Sequence, residues 1–267
     1  MEAEFDMRHA LAVYGRSLGA NYRSMLEYQA DFWIMATTGS IWTIIQFGFI
    51  SILFANVNAI GGWNYHEMLV LAAFLKVAAA SNALVWDGMW GLSGLVIDGG
   101  LDYRITRPAP VALQIGSSRV GMQAFGEVGL GLAMFAFGWI GAGLSPALIP
   151  IAVLLFASAI VFQIAMLTCS NAANFWIKGR HPMLAFLLLD MQSEVLRFPL
   201  TVYPAVVRML LTFGLPLAFA SFIPVQILTG RLPWWWLIGP PLAAAAAVAL
   251  AVLVFRAGLR AYDSAGH

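Results

Sequence analysis

The chain has 267 residues, of which 61% are hydrophobic and only 10% charged, and its formal net charge is +1. A water-soluble domain carries roughly 25% charged residues to keep its surface wetted. Composition therefore excludes an ordinary soluble enzyme and a disordered chain. The near-neutral balance offers no basic field for nucleic acid, and one cysteine excludes a disulfide scaffold or a multi-cysteine metal site.

What remains is an all-α integral membrane protein, because backbone groups in lipid must be satisfied within each segment. The first 30 residues hold seven charges and no clean apolar core, so no removable signal peptide is expected. That start is amphipathic. Leu11, Tyr14, Leu18, Tyr22 and Met25 share one helical stripe, opposite Arg16, Arg23 and Glu27. It reads as a helix lying in the membrane interface, with a helix packed on protein as the alternative. A span needs about 20 apolar residues; such runs lie at 32–56, 68–88, 120–142, 147–177 and 237–257. Between the last two, 183–230 is apolar but broken by Pro199, Pro204, Pro216 and Pro224.

Ten of the 14 Lys and Arg residues fall before the first span, between the second and third, after the fourth or at the close of the last. The loops 57–67 and 143–146 contain none. By the positive-inside rule the charged side is the cytoplasm, and both termini belong there. An even number of crossings then separates Lys178 from Arg256. The segment 183–200 is assigned as the fifth span. Tyr203 to Gly230 becomes an outer re-entrant hairpin, with Pro216 and Pro224 breaking its helices; a kinked full crossing is the rival. The prediction is one transmembrane domain over 1–267, with six spans, an interfacial first helix and an outer hairpin before the last span.

Motifs for soluble chemistry are missing: there is no P-loop, and His9, His66, His181 and His267 all fall outside the predicted spans. Asp6 with His9 is too little for zinc, so no metal site is expected. Gly91-Leu92-Ser93-Gly94 matches a motif of intramembrane serine proteases, but such a serine needs a base within reach; a glycine-eased bend explains it better. Cys169 reads as a small packing residue. No catalytic residues are assigned, and the chain is not read as an enzyme.

Intramembrane charges are costly unless paired or wet. Lys76 lies in the second span and Glu127 in the third. Their heights differ by about 8 Å at ~1.5 Å per residue, a gap that two long side chains can close. Asp190, Glu194 and Arg197 share a face of the fifth span at i, i+4 and i+7. These charges either hold the bundle together as ion pairs or border a translocation path. The cytoplasmic stretch 89–118 carries a charged element from Asp98 to Pro108, suited to docking a soluble partner or simply to solvation.

Several stretches together resemble a known family. They are Leu26-Glu27-Tyr28-Gln29-Ala30-Asp31-Phe32; Ile60-Gly61-Gly62-Trp63 with Glu67; Gly99-Gly100-Leu101-Asp102 running on to Arg107-Pro108; Phe198-Pro199-Leu200-Thr201-Val202-Tyr203-Pro204; Leu211-Thr212-Phe213-Gly214-Leu215-Pro216; Ile223-Pro224; and Leu259-Arg260-Ala261-Tyr262. In this order the chain resembles permease subunits of type-2 ATP-binding-cassette (ABC) exporters, in the bacterial branch that includes viologen-exporter-type permeases. The resemblance implies a coupling element at Asp98, Gly99, Leu101, Asp102, Arg104, Arg107 and Pro108, and an outer hairpin marked by Tyr203, Pro204, Pro216 and Pro224. It implies a second permease copy or a related one, and a cytosolic ATPase dimer that carries ATP and magnesium, with no cofactor on this chain. The expected location is the bacterial inner membrane, and the expected cargo an amphipathic or hydrophobic compound (drug, hydrophobic cation or lipid). A stand-alone carrier driven by ions at the intramembrane carboxylates is the alternative. Such carriers often show inverted repeats with matching broken spans, and no such repeat is visible here.

Overall fold

The computed structural model describes residues 7–263, which form helices and, among the described residues, no strand beyond a single bridge between Ile60 and Trp63. The helices are α1 (Met7–Glu27), α2 (Gln29–Phe54), α3 (Tyr65–Trp86), α4 (Leu92–Ile97), α5 (Gly100–Ile105), α6 (Val111–Gly116) and α7 (Gln123–Gly141). They continue as α8 (Ile149–Ala172), α9 (Asn174–Ile177), α10 (Met183–Val195), α11 (Ala205–Met209), α12 (Phe222–Leu228) and α13 (Gly239–Arg260). Asp6 and His267 lie outside the described residues.

Among the described residues, five helical stretches are long and apolar enough to cross a membrane: Gln29–Phe54, Tyr65–Ile97, Gln123–Gly141, Pro146–Ile177 and Trp234–Arg260. They coincide with the five uninterrupted runs read from the sequence. The sixth segment differs. α10 has 13 residues, about 20 Å at ~1.5 Å per residue, against a hydrocarbon core of ~30 Å. Pro199 disfavours helical geometry at Phe198, and the helix closes just before it. Arg197 therefore lies beyond α10 and does not share a helical face with Asp190 and Glu194. The stretch 89–118 is also more ordered than a loop: after a 3-10 turn at Asp87–Gly91, it folds into α4, α5 and α6. His66, expected outside the spans, is the second residue of α3, with its ring against Gly141.

α3 lies at the centre. Met68, Leu69, Val70, Leu71, Ala73 and Phe74 are all essentially inaccessible, and α2, α7, α8 and α12 surround the helix. A helix apolar on every side is a buried one, which is why its sequence shows no amphipathic period. Its start is fixed by a capping box: Asn64 Oδ1 accepts from Glu67 N at 3.0 Å, while the Glu67 carboxylate accepts from Asn64 N at 2.9 Å. α2 and α7 cross closely through Gly39 and Gly126. A Cβ at either would strike backbone of the other helix, Gln123 O for Gly39 and Ala36 O for Gly126, so packing depends on small residues as membrane helix pairs commonly do.

α1 packs on the opposite end of α3 from Asn64. Tyr14 and Tyr22 donate their hydroxyls to Val85 O and Leu84 O, each at 2.8 Å. These carbonyls fall in the last turn of α3, where helical acceptors lose their intrahelical donors. Two members of the amphipathic stripe thus cap a neighbouring helix, and Met25 is buried with them, while Leu11 remains exposed.

Candidate transport cavity and coupling element

A groove of about 560 Å³ opens at mid-height between α2, α3, α7 and the end of α10. Lys76 projects into it from α3 and Glu127 from α7, with Lys76 Nζ 3.0 Å from Glu127 Oε2 and about a fifth of each side chain exposed. Their predicted depths differ, and their length closes the gap. Trp42 and Phe49 supply aromatic walls, and Gln46 and Ser193 add polar groups. Arg197 also lines the groove; one guanidinium nitrogen binds Glu194, while its Nε is buried without an acceptor among the described residues. Asp190 is exposed on α10 and is not brought into the groove. Apolar walls with a few fixed polar groups form the kind of surface that holds an amphipathic molecule.

At one end of this groove, the loop before α3 is clamped by residues far along the chain. Thr201 Oγ1 donates to Gly61 O at 2.9 Å. Arg231 donates to Gly62 O at 3.0 Å and to both Glu67 oxygens at 2.8 and 2.7 Å, with its guanidinium 4.7 Å from the Trp63 ring centroid. Between them, Tyr203 donates to Val195 O at 3.1 Å. Pro204 precedes α11, and Pro216 separates the wide turn Leu210–Gly214 from the 3-10 turn Leu217–Ala220. Pro224 does not break a helix. It occupies the first turn of α12, where an N–H would have no intrahelical acceptor. Sequence reasoning missed the α3 cap, which the Asn64–Glu67 spacing could have revealed, and nothing in the sequence marks Arg231 as the second partner of Glu67.

At the opposite end the α4–α6 segment forms a platform. Gly99 links α4 to α5 at φ 73°, a left-handed geometry that glycine takes without steric cost; Asp98, just before it, is exposed. Leu101 is fully buried in a cluster with Met89, Leu92, Ile115, Phe175 and Phe255. Asp102 sits beside Tyr262, whose hydroxyl pKa is raised by burial and by that carboxylate. Arg104 donates to Gln114 O at 2.9 Å, and Gln114 returns a bond to Arg104 O at 3.0 Å. Leu101, Asp102 and Arg104 therefore root the platform in its own chain. Its outward face is Tyr103 (66% exposed), Ile105 (46% exposed), Arg107 over the Tyr103 ring, and Pro108. Nearby, Ser93 is buried and donates to Arg180 O at 3.3 Å, and Asp87 pairs with Arg119. Among the described residues, no hydrogen bond joins Ser93 to a basic side chain or a carboxylate, although Asp87 and His181 line the same cavity.

Long apolar helices around a partly charged groove, carrying a short-helix platform at one end, define a polytopic membrane protein of the transporter type. Over residues 40–266 the chain matches the family described as ABC-2 family transporter protein, and it belongs to that family. No curated protein and no solved structure matches it. Membership makes the chain a membrane permease of an ABC exporter, working with an ABC ATPase.

Proposed function

We propose that two such permeases, identical or related, alternate around a shared path and export amphipathic or hydrophobic compounds (a drug, a hydrophobic cation or a lipid) from a bacterial cell, as a viologen-exporter-type system. Both termini lie in the cytoplasm, the α4–α6 platform faces the ATPase dimer, and the inner membrane holds the bundle. The groove at Lys76 and Glu127 is the observation that carries this reading, because it places mixed apolar and charged chemistry between the platform and the outer clamp.

The six-span plan is supported by two hydrogen bonds. Arg180 is tied to Ser93, beyond the C-terminal end of α3, and Thr201 to Gly61, before its N-terminal end. The chain between them therefore traverses the height of α3, with α10 supplying about 20 Å and the turns and irregular backbone on either side of it the remainder. Thr201 and Arg231 both bind the Gly61–Gly62 turn, so the segment between them leaves and returns on the same side, as a re-entrant hairpin does. Irregular backbone at such depth is tolerated where protein covers it, and α12 is almost wholly buried.

Coupling follows from the platform's roots. ATP-driven closure of the ATPases presses on Tyr103 and Ile105. Leu101 and Asp102 pass that motion to α9, α13 and the Tyr262 tail, while α4 passes it to α3 and so to Lys76. Cargo favours one state only through different affinity for the two. Isolation of the chain in mild detergent tests the assembly: a bound cassette ATPase is expected. Transport by the permease alone, driven by an ion gradient, would replace this reading with the secondary carrier.

A further inference from the structure

Between α1 and the α5–α6 platform lies a second groove, of about 390 Å³, which shares Arg107 and Pro108 with the platform's outward face and whose interior has no part in the transport reading. Its lining holds His9, Arg104 and Arg107 and, among the described residues, no carboxylate. Arg104 spends one of five guanidinium donors on Gln114 O. Burial and the charge of Arg107 hold its pKa below the ordinary value. Gln114 is 7% exposed, and its Nε2 donates to Arg104 O and Ala109 O. Its Oε1 lies just beneath the groove's surface with no donor among the described residues, so that a ligand's donor reaches it after a small local shift. The groove thus presents surplus cationic donors beside one orphaned acceptor. Buried polar groups are ordinarily partnered, and an exception calls for a cause such as a missing ligand.

We propose that this groove binds a phosphate-bearing group that also carries a hydrogen-bond donor, with phosphate oxygens on Arg104 and Arg107 and the donor on Gln114 Oε1. Guanidinium forks match phosphate oxygens. Glycerol phosphate has this chemistry, either free or as the headgroup of phosphatidylglycerol. Ser17 Oγ and Asn21 Nδ2 of α1 both donate to Ser117 O, at 3.2 and 2.9 Å, at the edge of the same groove. A bound group would brace α1 against the platform. The lipid source rests on the cytoplasmic placement proposed above, whereas the free source rests on the groove alone.

Two measurements on the purified full chain separate the sources. Calorimetric titration compares sn-glycerol 3-phosphate with sulfate, which lacks the donor. Native mass spectrometry counts lipid retained from phosphatidylcholine discs with and without phosphatidylglycerol. Preference for glycerol phosphate over sulfate, or for phosphatidylglycerol over phosphatidylcholine, supports the site and names its source. The exposed Arg107→Gln is expected to weaken that binding about tenfold, as loss of one charge-assisted bond does. Absence of both preferences overturns the proposal, as does binding that Arg107→Gln leaves unchanged. Occupancy of the groove only when the ATPase is attached would assign it to that protein and likewise overturn it. Failure of ATP-driven transport in these preparations would bear on the exporter reading and leave the groove's chemistry standing.

Discussion

Removing both partners of the Lys76–Glu127 pair is expected to cost less than the two single removals added together. At 3.0 Å and about one-fifth exposed, the pair is desolvated enough that a lone survivor lacks compensation. Breaking a buried pair costs about 3–5 kcal/mol in protein interiors, and a lone charge near a bilayer centre costs ~2.5–3.5 kcal/mol on insertion scales. Because this groove is open to water or cargo, about 2–3 kcal/mol is expected for Glu127→Gln, and a similar loss for Lys76→Met. The double variant places two uncharged side chains of similar length in contact, and a coupling energy of about 1–2 kcal/mol is expected. Reversible unfolding in mixed micelles of mild and denaturing detergent measures all four proteins. Losses that add to within ~0.5 kcal/mol would refute the pairing argument. Unchanged stability with lost transport in Glu127→Gln would point to cargo binding instead.

Three further outcomes follow from the geometry. Tyr103→Ala combined with Ile105→Asp alters the platform's exposed face and is expected to abolish ATPase co-purification while the melting temperature holds; retained binding would move the docking face elsewhere. Single cysteines at Gln226 and Thr229, with Cys169 replaced, are expected to react with an impermeant external thiol reagent, several-fold faster once Arg231→Gln releases the clamp on Glu67; labelling only from the cytoplasm would reverse the hairpin. Gly126→Val forces α7 off the Ala36 carbonyl of α2 and is expected to destabilise the bundle by at least about 1–3 kcal/mol in the same unfolding assay; a neutral result would contradict the close crossing.

The five long apolar helices were legible in the sequence because length and hydropathy alone select a bilayer-spanning segment. The position of Pro199 was equally visible, yet its effect on the length of α10 depended on where the helix chose to stop, and the spacing of Asp190, Glu194 and Arg197 assumed a helix that ends too early. The Lys76–Glu127 meeting could be anticipated from depth along two adjacent helices, since only height and side-chain length enter. Arg231 could not be assigned to Glu67, because their contact joins residues 164 apart in sequence and depends on how the whole chain between them packs. The platform shows the same division. Its location followed from charge and the family resemblance, but Leu101, Asp102 and Arg104 proved to face their own chain, leaving Tyr103 and Ile105 outward. Helix periodicity is weak evidence of facing in a six-residue element.

ATP-driven movement of cargo by this chain with its ATPase is the most direct measurement of the account. The complex is reconstituted in liposomes with the cassette subunits outermost, and uptake of a fluorescent amphipathic compound is followed. Uptake that requires ATP and magnesium, and that stops when the Tyr103→Ala, Ile105→Asp variant replaces the native permease, is the expected result. Uptake that is indifferent to ATP and follows an imposed proton or sodium gradient would contradict it.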